Sequence, residues 1–347
     1  MKVLLGITGS VASVLTDKLV KKLIKNGHEV KVVATDKAYQ FLERNCCIYT
    51  FLNDFDEFYE NYTYSKNDKI LHIELREWAD CFLICPCSLN TMAKMVNGIC
   101  DNLLTSVFRA WDFNKPIFLA PSANTKMWFH PVTKSHLKTL KEWKVNVIYP
   151  TVKKLACGEY GIGALADLDA IVNIVEGHKW INPFIALDDG NLPYLPLSPH
   201  SGSFGAKRKH DIHSGTDLYC PEFAIIRAME DGEVHSIGQF TGKNVGCDWW
   251  NDTWQVSVKG KSGVIVYGEI DVNKDLKIGN KISKGDILGI VLQVLKHLPK
   301  ETIEGHSCSM LHVELFDDKL CNVCPNWELG NDRAKGVLDP TPYLYLM

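Results

Sequence analysis

Apolar residues in the first half of the chain gather into short runs, and between the runs they recur every three or four positions. Runs at 2–7, 29–34, 81–85, 116–120 and 146–149 have the length of buried strands, whereas 11–25 has the period of an amphipathic helix. This alternation predicts parallel strands joined by crossover helices, a doubly wound α/β sheet over residues 1–180. From 181 to 207 the texture changes to Asn182-Pro183, Leu192-Pro193, Leu195-Pro196 and Ser201-Gly202-Ser203, which predicts a linker. Over 208–347 the segments are short, rich in Val, Ile and Trp and broken by glycine, as at 254–258, 263–267 and 311–316. That texture predicts an antiparallel β domain.

A chain of 347 residues with 46% hydrophobic and 23% charged positions has enough apolar side chain for two cores, which excludes disorder as the default. The net charge of -3, with Lys and Arg dispersed, offers no field for nucleic acid or an anionic membrane. No apolar run has the length of a membrane span, and the first strand meets turn residues too early for a signal peptide. Twelve cysteines scattered over two large domains fit free thiols in a reducing cytoplasm better than a disulfide framework. The pair Cys321 and Cys324 forms one C-x-x-C without a partner pair and is expected to be ordinary thiols.

The first strand ends in Gly6-Ile7-Thr8-Gly9-Ser10 directly before a helical pattern, where free backbone N–H groups would cradle a phosphate. Alone this signal is weak, because glycines also close strand-to-helix turns that bind nothing. Three further segments are expected where strands of such a sheet end: 71–75 (Leu-His-Ile-Glu-Leu), 86–91 (Pro-Cys-Ser-Leu-Asn-Thr) and 121–128 (Pro-Ser-Ala-Asn-Thr-Lys-Met-Trp).

With these motifs in this order, and with Arg76-Glu77-Trp78-Ala79-Asp80, Cys100-Asp101-Asn102, Arg109-Ala110-Trp111-Asp112 and Lys154-Leu155-Ala156-Cys157-Gly158 beside them, the chain resembles a known family from Met1 to about Asp169. That family is the homo-oligomeric flavin-containing cysteine decarboxylases, and the likeness is greatest to its eukaryotic phosphopantothenoylcysteine decarboxylases. The resemblance implies a flavodoxin-like or Rossmann-like sheet, FMN as cofactor, and decarboxylation of phosphopantothenoylcysteine to phosphopantetheine in coenzyme A biosynthesis. It implies Gly9, Ser10, Ser88, Asn90 and Thr91 around the FMN phosphate and ribityl chain, with Thr35 and Ala123 flanking the ring. Departures from the family pattern are Ser122-Ala123 and Leu89, which would alter packing near that ring.

Loss of carbon dioxide next to a thiol-bearing carbon lacks an electron sink. Temporary oxidation to a thioaldehyde supplies one, with flavin as hydride acceptor and later donor. By the resemblance His72 is the active-site base or proton manager, which suits an imidazole titrating near neutrality. Asn124 binds the substrate carboxylate with a neutral amide, and Met127 packs beside it. Cys157 protonates the ene-thiol intermediate and opens a glycine-rich stretch, Cys157-Gly158-Glu159-Tyr160-Gly161-Ile162-Gly163, expected to act as a flap. Family members form homotrimers, or higher assemblies of trimers, with the flavin between subunits, where Trp78, Trp111 and Trp128 would offer aromatic surface.

The second half resembles the lysostaphin-type zinc metallopeptidase domain through Arg208, His213-Ser214-Gly215-Thr216-Asp217, Tyr267-Gly268 and Leu311-His312-Val313-Glu314. By that resemblance His213, Asp217 and His312 are zinc ligands, with a fourth position open to water. The proton-handling histidines are replaced by Met310 and Glu269, so zinc binding without strong peptidase activity is expected, in a module for peptide or glycan. Two other readings follow from the same families: a regulatory flavoprotein that binds a protein phosphatase, and a zinc endopeptidase that uses the flavin domain as an assembly scaffold.

Overall fold

Strand β1, Lys2–Ile7, is buried from its second residue onward, as a strand covered on both faces requires. A 3-10 turn, Val11–Leu15, and helix α1, Thr16–Lys25, carry the chain to β2, Glu29–Ala34, and α1 buries Leu19, Val20 and Leu23 at helical spacing. Then come α2 (Asp36–Tyr39), β3 (Phe51–Asn53), α3 (Leu71–Trp78), β4 (Cys81–Cys87), α4 (Leu89–Val96), α5 (Leu103–Arg109) and β5 (Ile117–Pro121). They are followed by α6 (Thr125–Trp128), α7 (Pro131–Glu142), β6 (Asn146–Val147), the hairpin of β7 (Thr151–Lys154) and β8 (Tyr160–Ala164), and α8 (Leu168–Val175). This computed structural model describes residues 1–42, 51–53, 70–185, 194–209, 211–296, 309–318, 327–328 and 332–347, and Cys321 and Cys324 lie outside them. The chain divides into two units, Met1–Gly177 and His178–Met347.

In the first unit six strands lie in the order β3-β2-β1-β4-β5-β6, all parallel. The order reverses between β1 and β4. Crossovers leave that point in opposite directions, so the loops beyond the two strands part and open a crevice, where ligands of open α/β sheets bind. Thr8, fully buried, ties the crevice walls together. Its backbone N–H and its hydroxyl both donate to the Pro86 carbonyl, at 3.2 and 2.8 Å, and its hydroxyl accepts from the Ser88 N–H at 2.6 Å.

Two expectations need correction here. Residues 71–75, expected at a strand end, begin helix α3, which leads into β4. Leu71 to Leu75 suits either element, because a short apolar run lacks the length that separates them. Trp111 and Trp128, expected as surface between subunits, are 5% and 3% exposed and belong to the core. Trp111 lies 5.2 Å from Phe82, and Trp128 meets Tyr149 edge-on at 5.3 Å.

The second unit contains β9 (Gly215–Tyr219), β10 (Ile225–Arg227), β11 (Gly232–Thr241), β12 (Thr253–Gly260), β13 (Val264–Val272), β14 (Lys281–Ile282), β15 (Ile287–Val291), β16 (Met310–Phe316) and β17 (Val337–Leu338), then α9 (Thr341–Leu344). These strands form one antiparallel nine-stranded sheet that branches at β13, which pairs with β12, β15 and β16, while β16 also pairs with β9 and β17. Described residues of the stretch 181–207, expected as a linker, pack into this unit. Phe184 is buried and bridges Ile226, and Phe204 is buried against Trp327 at 5.5 Å. Aromatic burial anchors a segment whose Pro and Gly content signals only the absence of regular structure. Among the described residues no helix is long and apolar enough to cross a membrane.

Thr8→Val keeps the shape of the side chain but leaves the Ser88 N–H without its acceptor and removes the hydroxyl bond to Pro86. The expected loss is about 1–3 kcal/mol in urea denaturation of the first unit, and Thr8→Ser is expected to restore most of it.

Candidate functional site

The loops that part at the β1/β4 reversal line a cavity of about 930 Å³. Ser10 caps the 3-10 turn, its Oγ accepting from Ala12 N at 3.3 Å, and Ser88 caps α4, its Oγ accepting from Thr91 N at 3.2 Å. Both caps leave further backbone N–H groups facing the crevice end of a helical segment, where an anion is favoured. Gly9 packs against Lys37, and a Cβ there would stand 2.5 Å from the Lys37 Cβ. Thr35, at the end of β2, is 8% exposed and lines the cavity. Its hydroxyl has no hydrogen-bond partner among the described residues and is available to a group bound in the cavity.

Gly9, Ser10, Thr35, Ser88, Asn90, Thr91 and Ala123 all line this one cavity, as do Asn124, Met127 and Cys157. The hairpin of β7 and β8 brings the last group together. Thr125 Oγ1 donates to the Ile162 carbonyl at 2.7 Å, and Ala123 N donates to the Gly163 carbonyl at 2.8 Å. Gly163 has φ +126, and a Cβ on it would meet the Ala123 carbonyl oxygen at 2.3 Å, so only glycine allows the hairpin to lie this close. Cys157 sits in the turn of the hairpin, exposed. Asn124 Nδ2 donates to its Sγ at 3.4 Å and to Glu159 Oε2 at 3.2 Å, and the thiol is 3.9 Å from that carboxylate oxygen.

His72 is not brought to this cavity within one chain. It lies half-buried near the start of α3. Glu159, which sequence reasoning passed over, is the carboxylate nearest the thiol. Its position two residues after Cys157 in the glycine-rich stretch was the available signal.

In the second unit His213, Asp217 and His312 are all buried, with their ligating atoms within 4.8 Å of one another. Backbone register sets this up, because β9 and β16 pair Asp217 directly with His312. His213 Nδ1 donates to the Ser203 carbonyl at 3.0 Å, which turns its Nε2 toward Asp217 Oδ1 at 3.2 Å and His312 Nδ1 at 3.3 Å. Asp217 Oδ1 stands 2.7 Å from His312 Nδ1, while its Oδ2 accepts from Arg208 Nη2 at 2.7 Å. On the other side of the ring, His312 Nε2 is 3.5 Å from Glu314 Oε1, which also accepts from Ser214 Oγ at 2.5 Å. Phe240 covers the His312 ring at 5.1 Å; a side chain on Gly268 would meet that phenyl ring at 2.8 Å.

Burial raises the Asp217 carboxyl, but His213 and His312 overcome it and hold Asp217 well below the usual carboxylate range. Burial also pulls both imidazoles down. For His213 it prevails over Asp217, whereas hydrogen bonds to Asp217 and Glu314 carry His312 up to about 10. Two imidazoles and a carboxylate are the donor set that suits a zinc-like cation. Arg208, Ser214, Glu314 and Phe240, which surround the three, had no assigned part in the sequence reading.

Residues 1–179 match the Flavoprotein family model. Over 176 residues the chain is 44% identical to phosphopantothenoylcysteine decarboxylase of Mus musculus, covering 50% of this chain and 85% of that protein. It is 43% identical over 180 residues to phosphopantothenoylcysteine decarboxylase of Oryza sativa subsp. japonica, covering 50% of this chain and 79% of the relative. A solved structure described as the FMN binding protein AtHal3 is 42% identical, covers 50% of this chain and 94% of its own, and superposes with a TM-score of 0.46. The family model spans more than half of the 347 residues, and the chain therefore belongs to the Flavoprotein family.

Proposed function

We propose that the first unit catalyses the FMN-dependent decarboxylation of phosphopantothenoylcysteine to phosphopantetheine, a cytoplasmic step of coenzyme A biosynthesis. The observation that carries this reading is the meeting of Asn124 and Cys157, 3.4 Å apart, at the wall of a cavity lined by both strand-end loops. Relatives 44% and 43% identical that bear the name of this decarboxylase support it.

The residues present fit FMN. Ser10, Ser88, Asn90 and Thr91, with the N–H groups beside them, would hold the phosphate and ribityl chain, and Gly9 allows close approach of the backbone. Thr35, whose hydroxyl has no partner among the described residues, and Ala123 would flank the ring. A bound flavin supplies a reversible hydride acceptor. The chain's own groups do the rest. Asn124 orients the substrate carboxylate through a neutral amide that lets the departing carbon dioxide go, and Met127 covers it. Cys157 gives its proton to the ene-thiol carbon, and the glycine-rich hairpin that carries it would act as a flap over the bound substrate.

His72 lies away from the cavity of its own chain and enters the reaction from a second copy in a homotrimer, as the proton manager of its neighbour's site. Cys157→Ser is expected to accumulate the oxidised product and His72→Asn to stall earlier, by mass spectrometry of reactions with phosphopantothenoylcysteine. Oligomers assembled from both variants are expected to regain saturated product, because some sites combine an intact His72 with an intact Cys157. Absence of any recovery in mixed oligomers that still hold flavin would defeat the shared-site reading.

For the second unit we propose a zinc-binding module of lysostaphin-type ancestry, with His213, Asp217 and His312 as ligands, that recognises peptide or glycan. The convergence of the three within 4.8 Å supports it. Met310 and Glu269, where proton-handling histidines would stand, leave peptidase turnover weak or absent. His312→Ala is expected to lose most of the zinc retained by the parent after dialysis, measured by atomic emission, while equal zinc in both would remove the ligand assignment.

A further inference from the structure

The amide of Asn124 has no hydrogen to spare. Its Oδ1 accepts from Lys126 N at 2.9 Å as the cap of α6, and this bond fixes which end of the amide is nitrogen. That nitrogen bears two hydrogens. One is donated to Cys157 Sγ at 3.4 Å and the other to Glu159 Oε2 at 3.2 Å, while Sγ stands 3.9 Å from the same carboxylate oxygen. A thiol that gives its proton to Glu159 does not offer it to a substrate carbon.

A substrate carboxylate held by Asn124 needs one of those two hydrogens, so one of the present partners must leave. Two ionised carboxylates on one amide nitrogen repel each other, and more strongly once the substrate has displaced water. The thiol, which must keep its proton in order to deliver it, is the neutral partner and stays. Glu159 is also the partner that can move. It is exposed, and its turn is closed by backbone bonds alone, with Gly158 N donating to the Leu155 carbonyl at 2.9 Å and Leu155 N to the Glu159 carbonyl at 2.7 Å. Its side chain can swing into water without opening that turn.

We infer that the Glu159 carboxylate occupies the place of the substrate's own carboxylate on Asn124, as a positioning residue that gives way when substrate binds and returns when carbon dioxide leaves. The exchange does two things. Withdrawal of Glu159 takes the acceptor away from Cys157, so the thiol proton is free to face the substrate. As the substrate carboxylate turns into neutral carbon dioxide its hold on the amide weakens, and Glu159 reclaims the hydrogen. Competition of this kind keeps the carboxylate loosely bound in the ground state, where tight binding would oppose its loss. Phosphopantetheine has no carboxylate and meets no competition.

This inference rests on the decarboxylase reading above, and the experiment separates the two. Full-length FMN-loaded protein is titrated calorimetrically with two ligands, phosphopantetheine and the substrate analogue that has a hydroxyl in place of the thiol. The analogue keeps the carboxylate but has no thiol to be oxidised. Glu159→Gln and Glu159→Ala are each expected to bind the analogue about three- to tenfold more tightly than the parent does, the scale of one solvent-exposed charged hydrogen bond, and to bind phosphopantetheine within about twofold of it. A merely structural role for Glu159 would move both ligands together. Unchanged or weaker binding of the analogue, or an equal change for both ligands, overturns the inference and leaves the decarboxylase reading standing. A parent that binds neither ligand and releases no carbon dioxide from phosphopantothenoylcysteine overturns both. A crystal structure of the parent with the analogue needs no variant. The analogue's carboxylate is expected on Asn124 Nδ2 with Glu159 beyond hydrogen-bond distance, and a Glu159 carboxylate still bonded to the amide refutes the exchange.

Discussion

A hydroxyl shared between two loops holds the first unit's crevice in shape. Parallel strands end with their backbone groups facing outward, and where the strand order reverses nothing in the sheet itself links the loops after β1 and β4. Thr8 provides that link by bonding to both Pro86 and Ser88 from a fully buried position. Ser88, which caps α4, and Ser122, whose N–H donates to the Cys87 carbonyl at the end of β5, are positioned by this junction. A flavin phosphate and ring need such a crevice to be present before binding, because loops that had to be ordered by the ligand would weaken its affinity.

The chemistry is then added by an element that the sheet does not require. The β7 and β8 hairpin lies against the segment after β5 through Thr125 and Gly163, and it carries Cys157 to Asn124. Two residues 33 positions apart become neighbours because one glycine lacks a side chain. The same logic operates in the second unit, where Gly268 makes room for the Phe240 ring over His312.

In that unit antiparallel register does what loops do in the first. Asp217, His312 and Gly268 lie across three adjacent strands, β9, β16 and β13, as directly paired residues. Register of this kind puts paired side chains on one face at fixed spacing, and this favours a rigid cluster of ligands. The bulge at Gly268 and Glu269 is the local break in that regularity, and it lies beside the cluster.

Much of this was legible in the residues themselves. Run length and period gave the parallel sheet and the β domain, since burial on both faces demands unbroken apolar strands and half-burial demands punctuated ones. The loops of residues 9–10, 88–91 and 123–127 were recognisable because glycine, capping hydroxyls and amides at strand ends have few other uses. What the chain could not disclose by itself is proximity between distant segments. Leu71 to Leu75 has no marker that separates a helix from a strand, and the fate of Trp111, Trp128, Phe184 and Phe204 depends on which surfaces meet them. The nearness of Glu159 to Cys157, the bonds of Arg208 to Asp217 and of Ser214 to Glu314, and the bulge at Gly268 and Glu269 arise only when strands and loops pack. Periodicity is a property of neighbours in the chain, whereas register, charge balance and close approach are properties of neighbours in space.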